Sequence, residues 1–76
     1  MKDLIEFIAR SLVDEPDSVR VAVAERGGTT RLQLEVAPPD LGKVIGRQGR
    51  TARAMRTVLA AAAQKSRRRV QLDILD

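Results

Sequence analysis

The start of the chain has apolar positions at the spacing of an α-helix. They are Leu4, Ile5, Ile8, Leu12 and Val13, with charged residues filling the opposite side. Apolar residues three and four apart are typical of an amphipathic helix, so we predict a helix over residues 3–13. We place Phe7, the sole aromatic residue, on its apolar side and expect it in the core. Pro16 cannot continue the helix, so we expect it to end near residues 14–17.

Two stretches then alternate apolar and other residues with a period of two. Val19, Val21 and Val23 form the apolar set of the first stretch, and Leu32, Leu34 and Val36 that of the second. This period is typical of strands with one buried face. Residues 25–30, which include two consecutive glycines, join the stretches, so we predict an antiparallel hairpin closed by a glycine turn.

Two helices and a third strand complete the pattern. Asp40 follows two prolines and is a candidate cap for a short helix that ends at Gly46. A longer helix follows Gly49, and its apolar arc consists of Ala52, Met55, Val58, Leu59 and Ala62. Val70, Leu72 and Ile74 alternate with polar residues and predict a strand.

The resulting order is α-β-β-α-α-β, which predicts an α+β fold. We expect a three-stranded mixed sheet with the helices packed on one face. The helical connection between the second and third strands indicates that they run parallel if they are neighbours. The length of 76 residues fits one domain over residues 1–76.

Composition narrows the range of functions. The chain has no Cys and no His, so it has no disulfide, no thiolate metal site and no histidine general base. No nucleophile and base pair is visible either, and we expect neither catalysis nor a cofactor or metal. Acidic residues in the first helix argue against a signal peptide, and no apolar run reaches membrane-spanning length. We therefore expect a cytoplasmic protein that does not bind membranes.

Charge is divided unevenly along the chain. Residues 1–40 hold five basic and eight acidic side chains, a net charge of −3, whereas residues 41–76 hold nine basic and two acidic ones, a net charge of +7. A basic block on a folded domain favours binding to a polyanion. A solvated surface that keeps the protein soluble is the alternative that charge alone leaves open.

A glycine-bracketed stretch lies inside the basic block. Residues 44–50 read V-I-G-R-Q-G-R, with an apolar pair before the loop and a helical run after it. Gly46 and Gly49 permit positive φ angles and a close backbone approach, and the start of the next helix attracts an anion. Arg47 and Arg50 add two charges. Two glycines three apart also mark ordinary turns, but the basic context favours a phosphate-backbone clamp.

Residues 44–57, V-I-G-R-Q-G-R-T-A-R-A-M-R-T, resemble the helix, GXXG loop and helix core of KH domains. The element order is similar to the type II, or prokaryotic, KH arrangement, and the chain as a whole resembles the small bacterial KH proteins of the KhpA family. The resemblance implies binding of single-stranded RNA, with the GXXG loop gripping about four nucleotides of the backbone. It implies a role as an RNA chaperone or post-transcriptional regulator.

The resemblance also implies roles for particular residues. Gly46 and Gly49 would allow close approach of the RNA backbone, and Arg47 and Gln48 would donate to phosphate oxygens. The positive rim would be extended by Lys43, Arg50 and Arg53. The wall of the base-binding groove would include Ile45, Ala52 and either Leu34 or Val36. Arg56, Lys65 and residues 67–69 are expected to be solvated or to contact a longer RNA.

Specificity and partners are the remaining expectations. With no Tyr or Trp there is no aromatic stacking platform, and Thr51 and Ala52 are small where KH domains often carry bulkier residues, so we expect low sequence specificity. The alternative function is a KH-fold dimerisation or docking module, with RNA contact secondary. This chain resembles the KhpA family, whose members look like partners of a larger KH-containing protein. The resemblance therefore implies either a homodimer or a heterodimer with such a larger protein.

Overall fold

The three strands form one mixed sheet with β2 at its centre. In the computed structural model, which describes residues 1–76, β1 spans Arg20–Arg26, β2 Thr29–Glu35 and β3 Arg69–Ile74. β1 pairs with β2 antiparallel, and β3 pairs with β2 parallel, with Leu32 opposite Leu72. The predicted mixed sheet and its parallel pair are confirmed.

The hairpin turn is tighter than the sequence indicated. Pairing continues to Arg26 and Thr29, so only Gly27 and Gly28 lie in the turn. Both have positive φ, 57° and 82°, as a two-residue type I′ turn requires. These angles favour glycine, which has no Cβ to clash.

Three helices cover one face of the sheet. α1 spans Lys2–Leu12, α2 Leu41–Ile45 and α3 Arg50–Lys65. The core between helices and sheet is formed by Ile5, Ala9, Val19, Val21, Leu32, Leu34, Val36, Val44, Met55, Leu59 and Leu72. Outward-facing strand residues such as Arg31 and Gln71 are exposed, so the sheet has one buried and one open face. The predicted order α-β-β-α-α-β and the α+β fold, similar to a type II KH domain, are confirmed.

Of the apolar residues that we placed on buried faces, Phe7, Val23 and Val58 are the most exposed. Phe7 is 71% exposed because, at about 100° per residue, it lies roughly 200° around α1 from the buried Ile5. Val23 is on the helix side of β1, but β1 is an edge strand whose far end the helices leave open. Val58 lies beside the buried stripe of α3, which continues from Leu59 to Ala63.

Asp40 lies at the predicted cap position but makes no side-chain capping bond to α2. Its carboxylate is 1% exposed and accepts hydrogen bonds from the Glu15 backbone N–H, at 3.0 Å, and from Lys43 Nζ, at 3.3 Å. The side chain therefore ties the connection between α1 and β1 to the start of α2. The prediction of a capping role was wrong because the stronger partner lies 25 residues away in sequence.

Candidate functional site

The GXXG loop is a tight turn that links α2 directly to α3. Gly46 ends α2 with a φ of 77°, and its N–H donates to the Gly42 carbonyl at 2.8 Å. Residues 47–49 form one 3₁₀ turn, closed by the Gly49 N–H donating to the Gly46 carbonyl at 3.1 Å. Gln48, with a φ of 57°, and Gly49, with a φ of 73°, are left-handed. The predicted loop between two helices is confirmed.

The two glycines of this loop meet different constraints. A Cβ atom on Gly46 would lie 2.2 Å from Thr51 Oγ1 and 2.8 Å from the Thr51 backbone nitrogen, which no real structure tolerates. A Cβ on Gly49 would meet no atom within 4 Å. Gly46 is therefore required for internal packing, whereas Gly49 leaves an open backbone surface that a ligand can approach.

Unpaired positive charge surrounds the loop. Arg47, Arg50 and Arg53 are exposed, and none of them lies in an ion pair. Arg50 Nη2 donates to Gln48 Oε1 at 3.4 Å, which keeps both side chains above the turn. The first turn of α3 holds no acidic residue and no side-chain cap, so its positive dipole end is not offset. This surface attracts anions.

Lys43 lies in a different environment from these arginines. Its ammonium contacts the carboxylates of Asp14 and Asp40. The hydrogen bond to Asp14 is the main cause that raises the pKa of Lys43, with burial opposing it and Asp40 adding to it. Its charge is thus offset locally, and it adds less to the positive rim than Arg47, Arg50 and Arg53 do.

A cleft of about 360 Å³, which we name the α3–β3 cleft, runs between α3 and the edge strand β3. It is lined by Arg56, Leu59, Val70, Gln71, Leu72 and Asp73. Arg56 is six residues beyond Arg50 on α3, which places it roughly 9 Å along the helix from the loop. The cleft combines an apolar floor of Leu59, Val70 and Leu72 with polar side chains around it.

The open edge of β3 supplies backbone groups to this cleft. The Leu75 N–H donates to the Leu34 carbonyl of β2, whereas the Leu72 carbonyl accepts bonds of 3.3 and 3.2 Å from Arg56. The backbone N–H and C=O groups of successive strand residues point to opposite edges of a strand, so those of Val70 and Ile74 point to the open edge as those of Leu72 do. An unpaired strand edge presents donors and acceptors to a ligand, as base recognition needs.

Comparison with known proteins places the chain in a family. The model of the KH domain of KhpA and KhpB matches residues 2–74. The chain belongs to this KhpA/KhpB family of KH domains. No solved structure matches the chain significantly.

Relatives within the KhpA/KhpB family are similar over the full length. A protein of Halalkalibacterium halodurans is 57% identical over 76 residues and covers all of both chains. One of Borreliella burgdorferi is 57% identical over 74 residues, which are 97% of this chain and 90% of the relative. One of Aquifex aeolicus is 50% identical over 76 residues, 100% of this chain and 96% of the relative. Each bears the name RNA-binding protein KhpA.

The residues that we predicted to form the wall of the base-binding groove are partly exposed and partly buried. Ile45 is exposed at the end of α2 beside the loop, where it can contact a ligand. Ala52 is buried against the core at the start of α3. Leu34, in the central strand, and Val36, just after it, are buried in the core as well, so the assignment of these three buried residues to the groove wall was wrong.

Arg56 lines the α3–β3 cleft and makes a contact that sequence reasoning did not predict. We expected it to be solvated or to reach a longer RNA, but its guanidinium joins α3 to the backbone of β3 at the cleft. Its position three residues beyond Arg53, on the same side of α3, was the available signal.

None of the helices has the length and the apolar composition of a membrane-spanning segment.

Proposed function

We propose that the protein binds single-stranded RNA by gripping the sugar–phosphate backbone with the GXXG loop. The observation that carries the proposal is the open backbone at Gly49 beside three arginines without acidic partners. Phosphate oxygens accept bonds from Arg47 and Gln48, while Arg50 and Arg53 continue the positive rim. The names of the relatives support RNA as the polyanion.

The bases of the bound segment would lie in the α3–β3 cleft. Leu59, Val70 and Leu72 offer apolar contact, and the backbone edge of β3 and Arg56 offer hydrogen bonds. No aromatic side chain lines the cleft, so bases cannot stack on a ring. Discrimination between bases is therefore weak, which suits an RNA chaperone or post-transcriptional regulator acting on many transcripts.

Binding rather than catalysis is the proposed activity. The Ser11 hydroxyl donates to the Phe7 carbonyl, and the Thr57 hydroxyl donates to the Arg53 carbonyl. Neither hydroxyl faces a side chain that acts as a general base. The groups whose pKa departs from its ordinary value, Asp40 and Lys43, contact each other in a structural ion pair. This arrangement lacks the nucleophile and general base that an enzyme of this size would need.

The test is a titration of a labelled uridine oligomer with wild-type protein and with the double variant Arg47→Asp/Gln48→Asp. Asp tolerates the left-handed conformation of residue 48, so the turn should persist. We expect the variant to keep its circular dichroism spectrum and to lose binding at least tenfold. Equal binding by a folded variant would reject the clamp.

A charge-matched control separates a local contact from net charge. Arg20→Glu with Ala24→Glu changes the net charge by the same amount, because each pair replaces one arginine and one neutral residue with acids. Both residues are exposed on β1, the edge strand that lies on the opposite side of β2 from β3 and the α3–β3 cleft. We expect this control to bind RNA much more tightly than the loop variant.

We propose docking of a second chain as a further role, through a homodimer or a heterodimer with a larger KH-containing protein. The exposure of Phe7 supports this role, since burial of an aromatic side chain contributes strongly to the energy of an interface. Sedimentation of the wild type and Phe7→Ser, alone and with a KH-containing candidate partner, tests it. A monomer that associates with neither would reject the role.

A further inference from the structure

A second polar cavity, which we name the turn cavity, lies at the opposite end of α3 from the GXXG loop. Its volume is about 390 Å³, and it is lined by residues 25–30 of the β1–β2 hairpin and by Arg67 and Arg68, without any apolar side chain. α3 has 16 residues, so its two ends are roughly 24 Å apart. The turn cavity is therefore separate from the loop.

The side chains of the turn cavity carry net positive charge. Arg26 and Arg67 are exposed and form no ion pair. The one carboxylate, Glu25, is held by Arg68 Nη1 at 3.2 Å and by the Thr30 hydroxyl, which donates at 3.3 Å. Three arginines thus face one occupied carboxylate, and an anion can enter between Arg26 and Arg67.

Arg67 occupies a backbone position that favours glycine. Its φ is 55°, its N–H donates to the Gln64 carbonyl, and the next N–H, of Arg68, donates to the Ala63 carbonyl. These bonds form a Schellman motif, in which glycine is usual at the left-handed residue. An arginine there costs conformational energy, and residues held in such conformations are concentrated at functional sites.

A continuous depression connects the turn cavity to the α3–β3 cleft. A shallow groove between α3 and the start of β3 shares Val70 and Gln71 with the cleft. The same groove shares Arg68 with the turn cavity. The first cleft residue on α3, Arg56, is roughly 9 Å along the helix from the GXXG loop, so an extended chain that leaves the loop can follow the open edge of β3 to the turn cavity.

We propose that the turn cavity is a second phosphate-binding site for the same RNA strand. This inference rests on the proposed function, because it extends the strand gripped by the loop. The four nucleotides held at the loop do not reach the turn cavity; a longer strand does, and places a phosphate between Arg26 and Arg67. Gly27 and Gly28 have no atom near their missing Cβ positions, so the RNA backbone can approach the turn closely.

The test compares uridine oligomers of about 4 and roughly 16 nucleotides. The turn variant Arg26→Gln/Arg67→Asn removes two charges and keeps a residue that accepts positive φ at position 67. Each lost phosphate contact lowers the slope of log affinity against log salt by about 0.7 for single strands. For the long oligomer the slope should fall by about 0.7, because one phosphate contact is lost, so from roughly 50 to 200 mM salt the wild type should lose about 2.6-fold more affinity than the variant.

Two comparisons make the result decisive. Arg10→Gln/Arg20→Gln removes the same charge from exposed, unpaired arginines outside the turn cavity and should change the slope less. The short oligomer should bind the turn variant as it binds the wild type, measured by NMR titration. Equal slopes for the turn and control variants, or equal losses for both oligomers, would overturn the second site. Failure of the loop clamp itself would appear separately, as unchanged short-oligomer binding by Arg47→Asp/Gln48→Asp.

Discussion

Gly46 and Gly49 are equivalent in the motif but not in the structure. Both have positive φ angles, so any other residue is strained at either position. Only Gly46 also faces the side chain and backbone of Thr51 at distances that exclude a Cβ. The first glycine thus serves the fold as well as the loop, and the second serves the loop and its ligand.

Alanine substitutions at these positions should differ in their cost. Gly49→Ala should lower the free energy of unfolding by about 1–2 kcal/mol, the cost of left-handed backbone for an L-residue. Gly46→Ala should add the cost of overpacking, about 1–3 kcal/mol more. Urea unfolding of both variants measures the difference. Equal losses would contradict the contact with Thr51.

Single residues also show where periodicity misleads. Phe7 was predicted to be buried from its apolar character, although its angular position on α1 is nearly opposite that of Ile5. Asp40 was predicted to cap α2, but its partners are Glu15 and Lys43. A local pattern identifies which residue types are present, whereas the partner of a polar group depends on chain segments distant in sequence.

At the level of elements, the pair of Asp40 and Lys43 joins α2 to the connection between α1 and β1. Burial acts to raise the pKa of Asp40, but the backbone hydrogen bonds at Asp14 and Glu15 and the contact with Lys43 outweigh it and lower the pKa. The pKa of Lys43 is raised, chiefly by Asp14. The charged forms of both groups therefore stabilise the folded state.

This pair predicts a stability profile with two limits. Because the folded pKa of Asp40 is lowered, its contribution is present above the unfolded value of about 4 and is lost as the pH falls through the folded value. Because the pKa of Lys43 is raised, its contribution is present below about 10.4 and is lost as the pH rises through the folded value. Urea unfolding across this range measures the profile.

The isosteric variant Asp40→Asn is the matched comparison for this profile. It keeps the side-chain shape and an acceptor for the Glu15 N–H but removes the charge. We expect it to be less stable than the wild type at neutral pH and to lose less stability on acidification. If the free energy of unfolding of the variant fell with pH as steeply as that of the wild type, carboxylates other than Asp40 would control unfolding in acid.

The elements also show why the position of the α3–β3 cleft was not predicted. The alternating apolar pattern predicts which segments are strands, and the helical connection predicts that β2 and β3 run parallel. Neither gives which strand has a free edge, and we chose either Leu34, in β2, or Val36, just after it. The strand order β1-β2-β3 buries β2 and leaves β3 open beside α3, so the cleft lies there.

On the scale of the whole molecule, one small core supports every element. It contains 11 buried apolar residues, and Leu34 and Ile5 are fully buried within it. Domains of this length have a free energy of unfolding of roughly 4–11 kcal/mol. The loss of one core side chain is therefore a large part of the total.

Leu34→Ala should lower the free energy of unfolding by about 2–5 kcal/mol, since it removes buried contacts and leaves a cavity at the centre of the sheet. Leu75→Ala, at a residue that is 44% exposed and bonds Leu34 through its backbone, should change it by less than about 1 kcal/mol. Chemical denaturation measures both. If both variants lost a similar free energy of unfolding, the core would not be centred on Leu34.

Much of the architecture was predictable because strong periodicity and clear breakers define each element. The positions of Gly46 and Gly49 between two helices, the hairpin and the third strand all followed from local pattern. What remained hidden depends on packing: the exposure of Val23 at an uncovered edge, and the contact of Arg56 with Leu72 across 16 residues. The turn cavity was hidden for the same reason, because it joins two turns distant in sequence.

The parallel pairing of β2 with β3 has a consequence for folding order. The hairpin of β1 and β2 closes through a two-residue turn, but Arg31 meets Gln71 only across 40 residues. Closing a long loop costs more chain entropy than closing a short one, and contacts distant in sequence slow folding. The GXXG loop lies within this long connection, so we expect the docking of β3, and with it the assembly of the α3–β3 cleft, to be a late step in folding.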